Sequence, residues 1–221
     1  MKPILFNTEM TRAILDGRKS CTRRLVKPQP DSKHQSLLGY CIDSTGSKRD
    51  IGKYGFGIDE YGGHVQYAKP PYQVGDIFYV RETWLLGDGC AGEEYYYKAD
   101  ETENSKELRI AYGYKWHPSI HMPKEAARIF LKVTDVRVEK LQDITEEQIR
   151  KEGLSPYDDI CQDINWKPTY NDPDSGGDPN LKQGFEILWN STVSEEWQKF
   201  TSNPLVWVIE FERCEKPEAT T

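Results

Sequence analysis

The sequence predicts an α+β protein that is mostly β, with a small, mostly antiparallel β-barrel and peripheral helices. Several short segments alternate apolar with polar residues, which is typical of strands buried on one face. The helical patterns between them are short, and no motif recurs at an interval of about 20 to 50 residues, so neither a doubly wound sheet nor a repeat protein is indicated. The 221 residues, 37% of them hydrophobic, suit a single domain, 1–221, with a substantial core.

Four segments carry the strand pattern. Residues 77–82 follow a Gly-Asp turn, and residues 95–97 are consecutive tyrosines. Apolar and polar side chains alternate over 129–138, which indicates a long strand or a bent pair of strands. The last segment, 205–212, has apolar residues at alternate positions and glutamates near its end, which predicts a closing strand with one buried and one polar face.

Three helices are predicted, two from residues typical of helix ends and one from the spacing of its apolar residues. Thr8 is placed to cap a short helix that ends at Gly17 in the left-handed conformation. Thr145 and Gln148 form a capping box, so a second helix runs from 146 to about 152 and stops at Gly153. The third helix carries its apolar residues at the spacing of one face: Leu181, Phe185, Leu188 and Trp189.

Two irregular stretches, about 28–72 and 155–180, interrupt this pattern. Both are rich in Gly, Ser, Asp and Pro, and both are longer than the ordinary connections of a compact domain. We therefore interpret both as insertions, and the first as a peripheral insertion, a mobile flap or a poorly ordered loop.

Cysteine usage and hydropathy exclude several classes of protein. The five cysteines are odd in number and widely spaced, so neither a disulfide framework nor a structural zinc site is indicated. The spacing of His117 and His121 would suit a metal on a helix, but two prolines oppose that helix, and we expect no metal and no cofactor. No segment approaches the roughly 18 apolar residues of a membrane span, and the N-terminus does not resemble a signal peptide, so a cytoplasmic protein without membrane contact is expected.

Charge is unevenly distributed along the chain. The formal net charge is -7, which argues against indiscriminate binding to nucleic acid. Residues 12–33 nevertheless contain seven basic and two acidic side chains, whereas residues 139–163 contain eight acidic and three basic ones. An acidic protein with one concentrated basic segment is suited to hold a phosphate locally while repelling bulk polyanion.

The basic segment contains the pattern Gly-x-Lys-x-x-Thr-x-Arg, formed by Gly17, Lys19, Thr22 and Arg24. This pattern resembles the signature of the ASCH family, small relatives of the PUA RNA-binding domain that are built on a similar β-barrel. Ser20 stands where threonine is common in that family, a change that keeps the hydroxyl. The resemblance implies a PUA-like barrel whose ligand is RNA or a modified nucleoside.

The resemblance extends beyond the basic segment. It covers residues 5–27, 72–154 and 181–213, and leaves the two irregular stretches as insertions. The segments 81–84 (Arg-Glu-Thr-Trp) and 118–123 (Pro-Ser-Ile-His-Met-Pro) resemble those of longer, phage- or prophage-borne members.

Some ASCH proteins are amidohydrolases that deacetylate N4-acetylcytidine, and their catalytic residue types fall on Lys19, Thr22 and Glu152. In that chemistry the Thr22 hydroxyl attacks the amide carbonyl, Lys19 removes its proton, and Glu152 relays a proton to the leaving amine. Arginines beside Lys19, together with burial, would lower its pKa toward the range of a base. Because residues three apart on a flat strand point to opposite faces, Lys19 and Thr22 can meet only if the chain turns between them.

Further side chains are candidates for holding the ligand. Aromatic residues suited to stack on a base are Tyr79, Trp84, Tyr114 and Trp116, of which Trp84 is preferred and Tyr79 is better explained as core. The full candidate set for ligand binding is Arg18, Arg23, Arg24, Arg81, Glu82, Trp84 and His121.

Other interpretations stay open at this point. Lys19 and the arginines can also be explained as a solvated or phosphate-contacting face, Thr22 as an ordinary strand residue, and Glu152 as a surface residue. The same cleft would then belong to a non-catalytic RNA-binding module. A third alternative is a phage-encoded interaction or assembly protein whose insertions carry the function.

Overall fold

The computed structural model describes residues 1–34, 36–42, 48–58, 64–89, 92–154 and 179–217. Within these residues the protein is α+β and rich in β-structure, and no helix is long and apolar enough to cross a membrane. The strands are β1 (Lys2–Leu5), β2 (Cys21–Leu25), β3 (Ser36–Tyr40), β4 (Tyr54–Gly57), β5 (Gln66–Ala68), β6 (Ile77–Arg81), β7 (Trp84–Gly89), β8 (Gly92–Tyr97), β9 (Phe130–Lys140) and β10 (Leu205–Cys214). The helices are α1 (Thr8–Leu15), α2 (Glu103–Ala111), α3 (Glu146–Lys151) and α4 (Pro179–Ser191).

A five-stranded sheet with the order β1-β6-β9-β10-β2 forms the centre of the molecule. Only the β1–β6 pair is parallel, so the expectation of a mostly antiparallel sheet is confirmed. The long strands β9 and β10 pair from Leu205↔Lys140 to Cys214↔Phe130, with a bulge between Glu210 and Phe211. The alternating segment 129–138 is therefore a single long strand and not a bent pair. The remaining strands form a three-stranded sheet, β3-β4-β5, and the hairpin β7-β8.

The central sheet is not a closed barrel, and this part of the prediction is wrong. Its edge strands β1 and β2 share no backbone ladder among the described residues. The two edges nevertheless approach each other, since Arg24 Nη2 on β2 donates to the Leu5 carbonyl at the end of β1 over 3.3 Å. A side chain thus bridges the place where a barrel would be closed by backbone hydrogen bonds.

Both faces of β10 are buried. The predicted apolar face of this strand, which includes Trp207 and Ile209, packs in one core cluster with Phe78. Val206 and Val208 on the opposite face are also fully buried, in a second cluster with residues of α3 and α4. The polar face expected from the glutamates is therefore restricted to the end of the strand, and the rest of that face is covered by helices.

The stretch 28–72 is not peripheral where the structure describes it. It contributes the sheet β3-β4-β5, and its Phe56, Ala68 and Tyr72 are buried in the same cluster as Trp207. The Tyr54 hydroxyl donates to the Val136 carbonyl at 2.8 Å, which ties this sheet to β9. Glycines and serines obscured the strand pattern, but the aromatic residues between them supply core. Residues 155–178 of the second irregular stretch lie outside the described residues.

The helix signals are largely confirmed. Asn7, not Thr8, caps α1, because its side chain accepts the Met10 amide at 2.8 Å, and Gly17 is left-handed as expected, with φ +76°. The Thr145 capping box is formed at the start of α3, and Gly153 follows that helix with φ +93°. The predicted apolar face of α4 is buried through Leu181, Phe185, Leu188 and Trp189.

Candidate functional site: a cleft at the open seam of the sheet

A cleft of about 660 Å³ lies where the edges β1 and β2 face each other without pairing. The end of β1 and the strand β2 form one part of its wall, and α4 forms another. Its polar side chains come mostly from the basic segment, and its aromatic side chains come from four different parts of the chain. Among its lining residues are Phe6, Lys19, Thr22, Arg23, Arg24, Lys27, Lys69, Tyr72, Glu152, Phe185, Trp189 and Trp207.

Lys19 is a buried cation whose ammonium group donates three hydrogen bonds. Its Nζ donates to the Glu152 carboxylate, to the Glu152 carbonyl and to the Cys21 carbonyl, each at 2.8 Å. Only 4% of the residue is exposed. Burial lowers the pKa of the Lys19 ammonium, while the attraction of the Glu152 carboxylate acts in the opposite direction.

Local backbone geometry brings Glu152 to Lys19. After the left-handed Gly17, the amides of Arg18 and Lys19 both bond to the Ala13 carbonyl, so the chain turns back along α1. Lys19 then forms an isolated antiparallel bridge with Glu152. A Cβ at Gly153 would lie 2.9 Å from Ala13 Cβ and 3.1 Å from Lys19 Cβ, so only glycine permits this approach.

Glu152 is shared between two cations. Its second carboxylate oxygen accepts from Arg23 Nη1 at 3.2 Å, and the other end of that guanidinium reaches Glu139 at 3.2 Å. Glu152 is 5% exposed and Arg23 is 3% exposed. The interpretation of Glu152 as a surface residue is therefore wrong, because its carboxylate lies among buried cations at the base of the cleft.

Thr22 and Arg24 form a second polar pair in the cleft. Arg24 Nη1 donates to the Thr22 hydroxyl at 2.8 Å and to the Arg23 carbonyl at 2.9 Å. The Arg24 guanidinium also lies 5.5 Å from the centre of the Phe6 ring. Phe6 receives the Lys19 ammonium as well, at 5.4 Å, so one aromatic ring contacts both cations.

The side chains of Lys19 and Thr22 can meet only if the chain turns between these two residues, and this condition is met in part. Lys19 precedes β2, its side chain folds back onto the Cys21 carbonyl, and both Lys19 and Thr22 line the cleft. Within the described residues no hydrogen bond joins Lys19 Nζ to the Thr22 hydroxyl, which instead accepts from Arg24.

The other candidate ligand residues do not line this cleft. Arg18 lies beside the end of α3, where it donates to the Gly153 carbonyl at 3.0 Å and pairs with Asp16. Arg81 donates to the Ile120 carbonyl at 3.2 Å and stacks near Tyr79, which is itself buried core as expected.

Glu82, Trp84 and His121 also lie elsewhere. Glu82 is 1% exposed and holds Arg128 through two hydrogen bonds of 2.9 and 3.0 Å, so its partner is internal. Trp84 begins the hairpin β7-β8, and its ring lies 4.9 Å from His117. His121 is exposed on a short 3-10 turn. None of these three residues lines the Lys19 cleft.

Several cleft residues were not identified from the sequence. Phe185 and Trp189 carried a signal as the apolar face of a helix, but spacing does not tell a core face from a cleft wall. Lys69 and Tyr72 fell in the stretch taken as peripheral. Glu139 does not line the cleft but pairs with Arg23 beneath it; it stood out only as part of the acidic segment, and this pairing depends on the β9–β10–β2 register.

Metal-binding and cysteine chemistry have few candidates in the described part of the chain. No group of three His, Cys, Asp or Glu side chains is placed there to hold a metal ion. Cys21 and Cys214 are free thiols, and Cys90 and Cys161 lie outside the described residues. Burial raises the pKa of the Cys21 thiol to about 12, so this thiol is not activated.

Comparison with protein-family models, with curated proteins and with solved structures found no match. The arguments about function therefore rest on the motif and on the geometry of the cleft.

Proposed function

We propose that the Lys19 cleft binds an RNA nucleotide or a modified nucleoside, as the ASCH-like motif Gly17-Lys19-Thr22-Arg24 implies. The observation that carries the proposal is the composition of the cleft: aromatic walls from Phe6, Tyr72, Trp189 and Trp207 enclose a polar end formed by Lys19, Thr22, Arg24 and Glu152.

This combination suits a nucleobase with its sugar. Aromatic walls favour the flat faces of a base, and hydroxyl, guanidinium and carboxylate groups recognise its polar edge. Lys27 and Lys69 are exposed at the cleft and have no ion pair among the described residues, so they are placed to contact phosphate. The volume of about 660 Å³ also leaves room for more than a base.

Binding can be measured by calorimetry with N4-acetylcytidine and by fluorescence anisotropy with a short single-stranded RNA. Arg24→Ala removes a charge-assisted donor from the polar end, and we expect affinity to fall about tenfold. Lys132→Ala, which removes an exposed cation on β9 outside the cleft, is the matched control and should leave affinity unchanged. Equal affinity of the wild type and Arg24→Ala for both probes would rule out binding at this cleft.

Hydrolysis of a nucleoside amide is a second candidate, favoured by the position of a buried Lys19–Glu152 pair in the same cleft as Thr22. Neutral Lys19 would take the proton of the Thr22 hydroxyl as its oxygen bonds to the acyl carbon. The C–N bond then breaks, and the proton passes through Glu152 to the departing amine. Water releases the acyl group from Thr22. Lys19 must first give up one of its three hydrogen bonds to reach Thr22.

Turnover can be followed by chromatographic separation of cytidine from N4-acetylcytidine. We expect Thr22→Val and Lys19→Met to lower kcat by at least a hundredfold, because each removes a group that makes or breaks a bond. Ser20→Ala deletes a neighbouring hydroxyl that does not line the cleft and should retain activity. Binding without any release of cytidine by the wild type would leave the cleft as a binding site only.

A further inference from the structure

A second cavity, of about 350 Å³, lies between the hairpin β7-β8, helix α2 and the residues that follow α2. It shares no lining residue with the Lys19 cleft. Its lining includes Gly87, Asp88, Glu101, Arg109, Tyr112, Tyr114 and Trp116.

Six aromatic side chains of described residues line the cavity, and Gly87 lies among them. A Cβ at Gly87 would lie 3.3 Å from Leu85 Cδ1, 3.4 Å from the Tyr96 ring and 3.6 Å from the Tyr114 ring, so a side chain at this position would narrow the cavity. On the outer side, Tyr112 is 74% exposed and lies 6.4 Å from Tyr114, centroid to centroid. Helix α2 lines the cavity through Ser105, Leu108 and Arg109, and none of its residues is buried.

One cation of the protein itself, Arg109, already contacts the walls of this cavity. The Arg109 guanidinium lies 5.4 Å from the centre of the Trp116 ring, and its Nε donates to the Glu101 carboxylate at 2.6 Å. An aromatic face and a carboxylate together hold a positive group on this side of the cavity.

The other side repeats this arrangement without a cation. The Asp88 carboxylate accepts from the Tyr114 hydroxyl at 3.0 Å, and among the described residues it makes no ion pair. Asp88 also stands directly opposite Glu93 in the hairpin, and like charges in that register destabilise a strand pair. Residues 88–109 contain seven acidic and three basic side chains, so the surroundings leave this charge uncompensated.

We propose that this cavity is a binding site for an organic cation, an alkylated ammonium or a guanidinium group, held by the Tyr112 and Tyr114 rings and the Asp88 carboxylate. Cation–π contact and a nearby carboxylate are the usual means of recognising such groups. The acidic surroundings oppose the alternative expected from sequence, in which Tyr114 and Trp116 stack on a base, because the phosphates of RNA would be repelled. The site does not depend on the proposed function of the Lys19 cleft.

Choline and its neutral isostere 3,3-dimethylbutan-1-ol separate cation binding from apolar burial. We expect choline to bind with saturable shifts of the cavity resonances in NMR titrations, and the neutral isostere to bind at least fivefold more weakly. Equal binding of the two compounds, or no binding of choline up to about 100 mM, would overturn the proposal.

Two substitutions and a matched control test which residues bind the cation. Tyr112→Ala and Asp88→Asn should each weaken choline binding about threefold or more, and both residues are exposed enough for the fold to persist. Glu103→Gln removes a charge from α2 without touching the cavity and should have no such effect. A loss with Glu103→Gln as large as that with Asp88→Asn would mean that only diffuse charge is involved, and the proposed site would be wrong.

A titration with a peptide, under the same conditions, distinguishes a cationic side chain of a protein partner from a free small molecule. A short peptide with trimethyllysine that binds at least as tightly as choline, with the same loss in Asp88→Asn, would identify a side chain of a protein partner. Binding of choline without binding of the peptide would identify a free small molecule. If neither ligand is sensitive to Asp88→Asn, the assignment of the carboxylate is overturned.

Discussion

At the scale of single residues, the Lys19 cleft is defined by one carboxylate between two buried cations. Glu152 contacts Lys19 at 2.8 Å and Arg23 at 3.2 Å, and neither cation is more than 4% exposed. The motif identified Lys19 and Thr22 from sequence. It could not show that Glu152 is buried, because a glutamate at a helix end is usually solvated and its environment depends on contacts more than a hundred residues away.

Glu152→Gln tests the electrostatic role of this carboxylate. The substitution keeps the shape but leaves Lys19 and Arg23 without their shared counter-ion, and we expect the free energy of unfolding to fall by about 3 to 5 kcal/mol. Urea denaturation measures this change. Glu147→Gln on the same helix alters an exposed carboxylate and should cost less than about 1 kcal/mol. Equal stability of the two variants would contradict a buried ion-pair network.

At the scale of elements, the end of α3 determines where Glu152 is placed. The capping box and Gly153 predicted this helix correctly, because both signals act within a few residues. The same glycine also allows close approach to Ala13 and Lys19, which is a contact between distant segments. Local signals therefore predicted the helix, and tertiary packing gave its last residues a role in the cleft.

Gly153→Ala separates these two contributions of the glycine. Its positive φ and the 2.9 Å approach to Ala13 both oppose a side chain, and we expect a loss of about 2 to 4 kcal/mol in thermal or urea unfolding. Gly113→Ala is the control, since Gly113 has φ +73° but nothing within 4 Å of an added Cβ. It should lose only about 1 kcal/mol. If both variants lose the same amount, close packing at Gly153 is not important.

At the scale of the whole molecule, the sheet order places the cleft at an open seam. Strands β6, β8, β9 and β10 and the mostly antiparallel pairing were predicted from the residue pattern, whereas the other strands were not. The sequence did not reveal that β1 pairs in parallel with β6 and leaves β2 as the opposite edge. It also did not reveal that the stretch 28–72 supplies core residues, because its Gly- and Ser-rich segments resemble loops while isolated aromatics between them carry no periodic signal.

Phe56→Ala tests whether the stretch 28–72 is part of the core. Phe56 is fully buried in the cluster that contains Trp207, and we expect truncation to cost about 3 to 5 kcal/mol of unfolding free energy. Leu37→Ala in β3 of the same small sheet is the control, because Leu37 is 47% exposed and should cost less than about 1 kcal/mol. A Phe56→Ala protein as stable as the wild type would mean that this sheet is peripheral after all.

The sequence by itself determined the α+β class, the positions of β6, β8, β9 and β10, the end of α1 at Gly17, both ends of α3, and the basic motif with Lys19 and Thr22. These features depend on interactions between near neighbours or on simple periodicity, which a single chain displays directly. The tertiary structure decided that the sheet stays open between β1 and β2, that Glu152 is buried, and that Arg81, Glu82, Trp84 and His121 lie away from the cleft. Each of these depends on which distant segments become neighbours, and strand register and helix packing are properties of the assembled molecule.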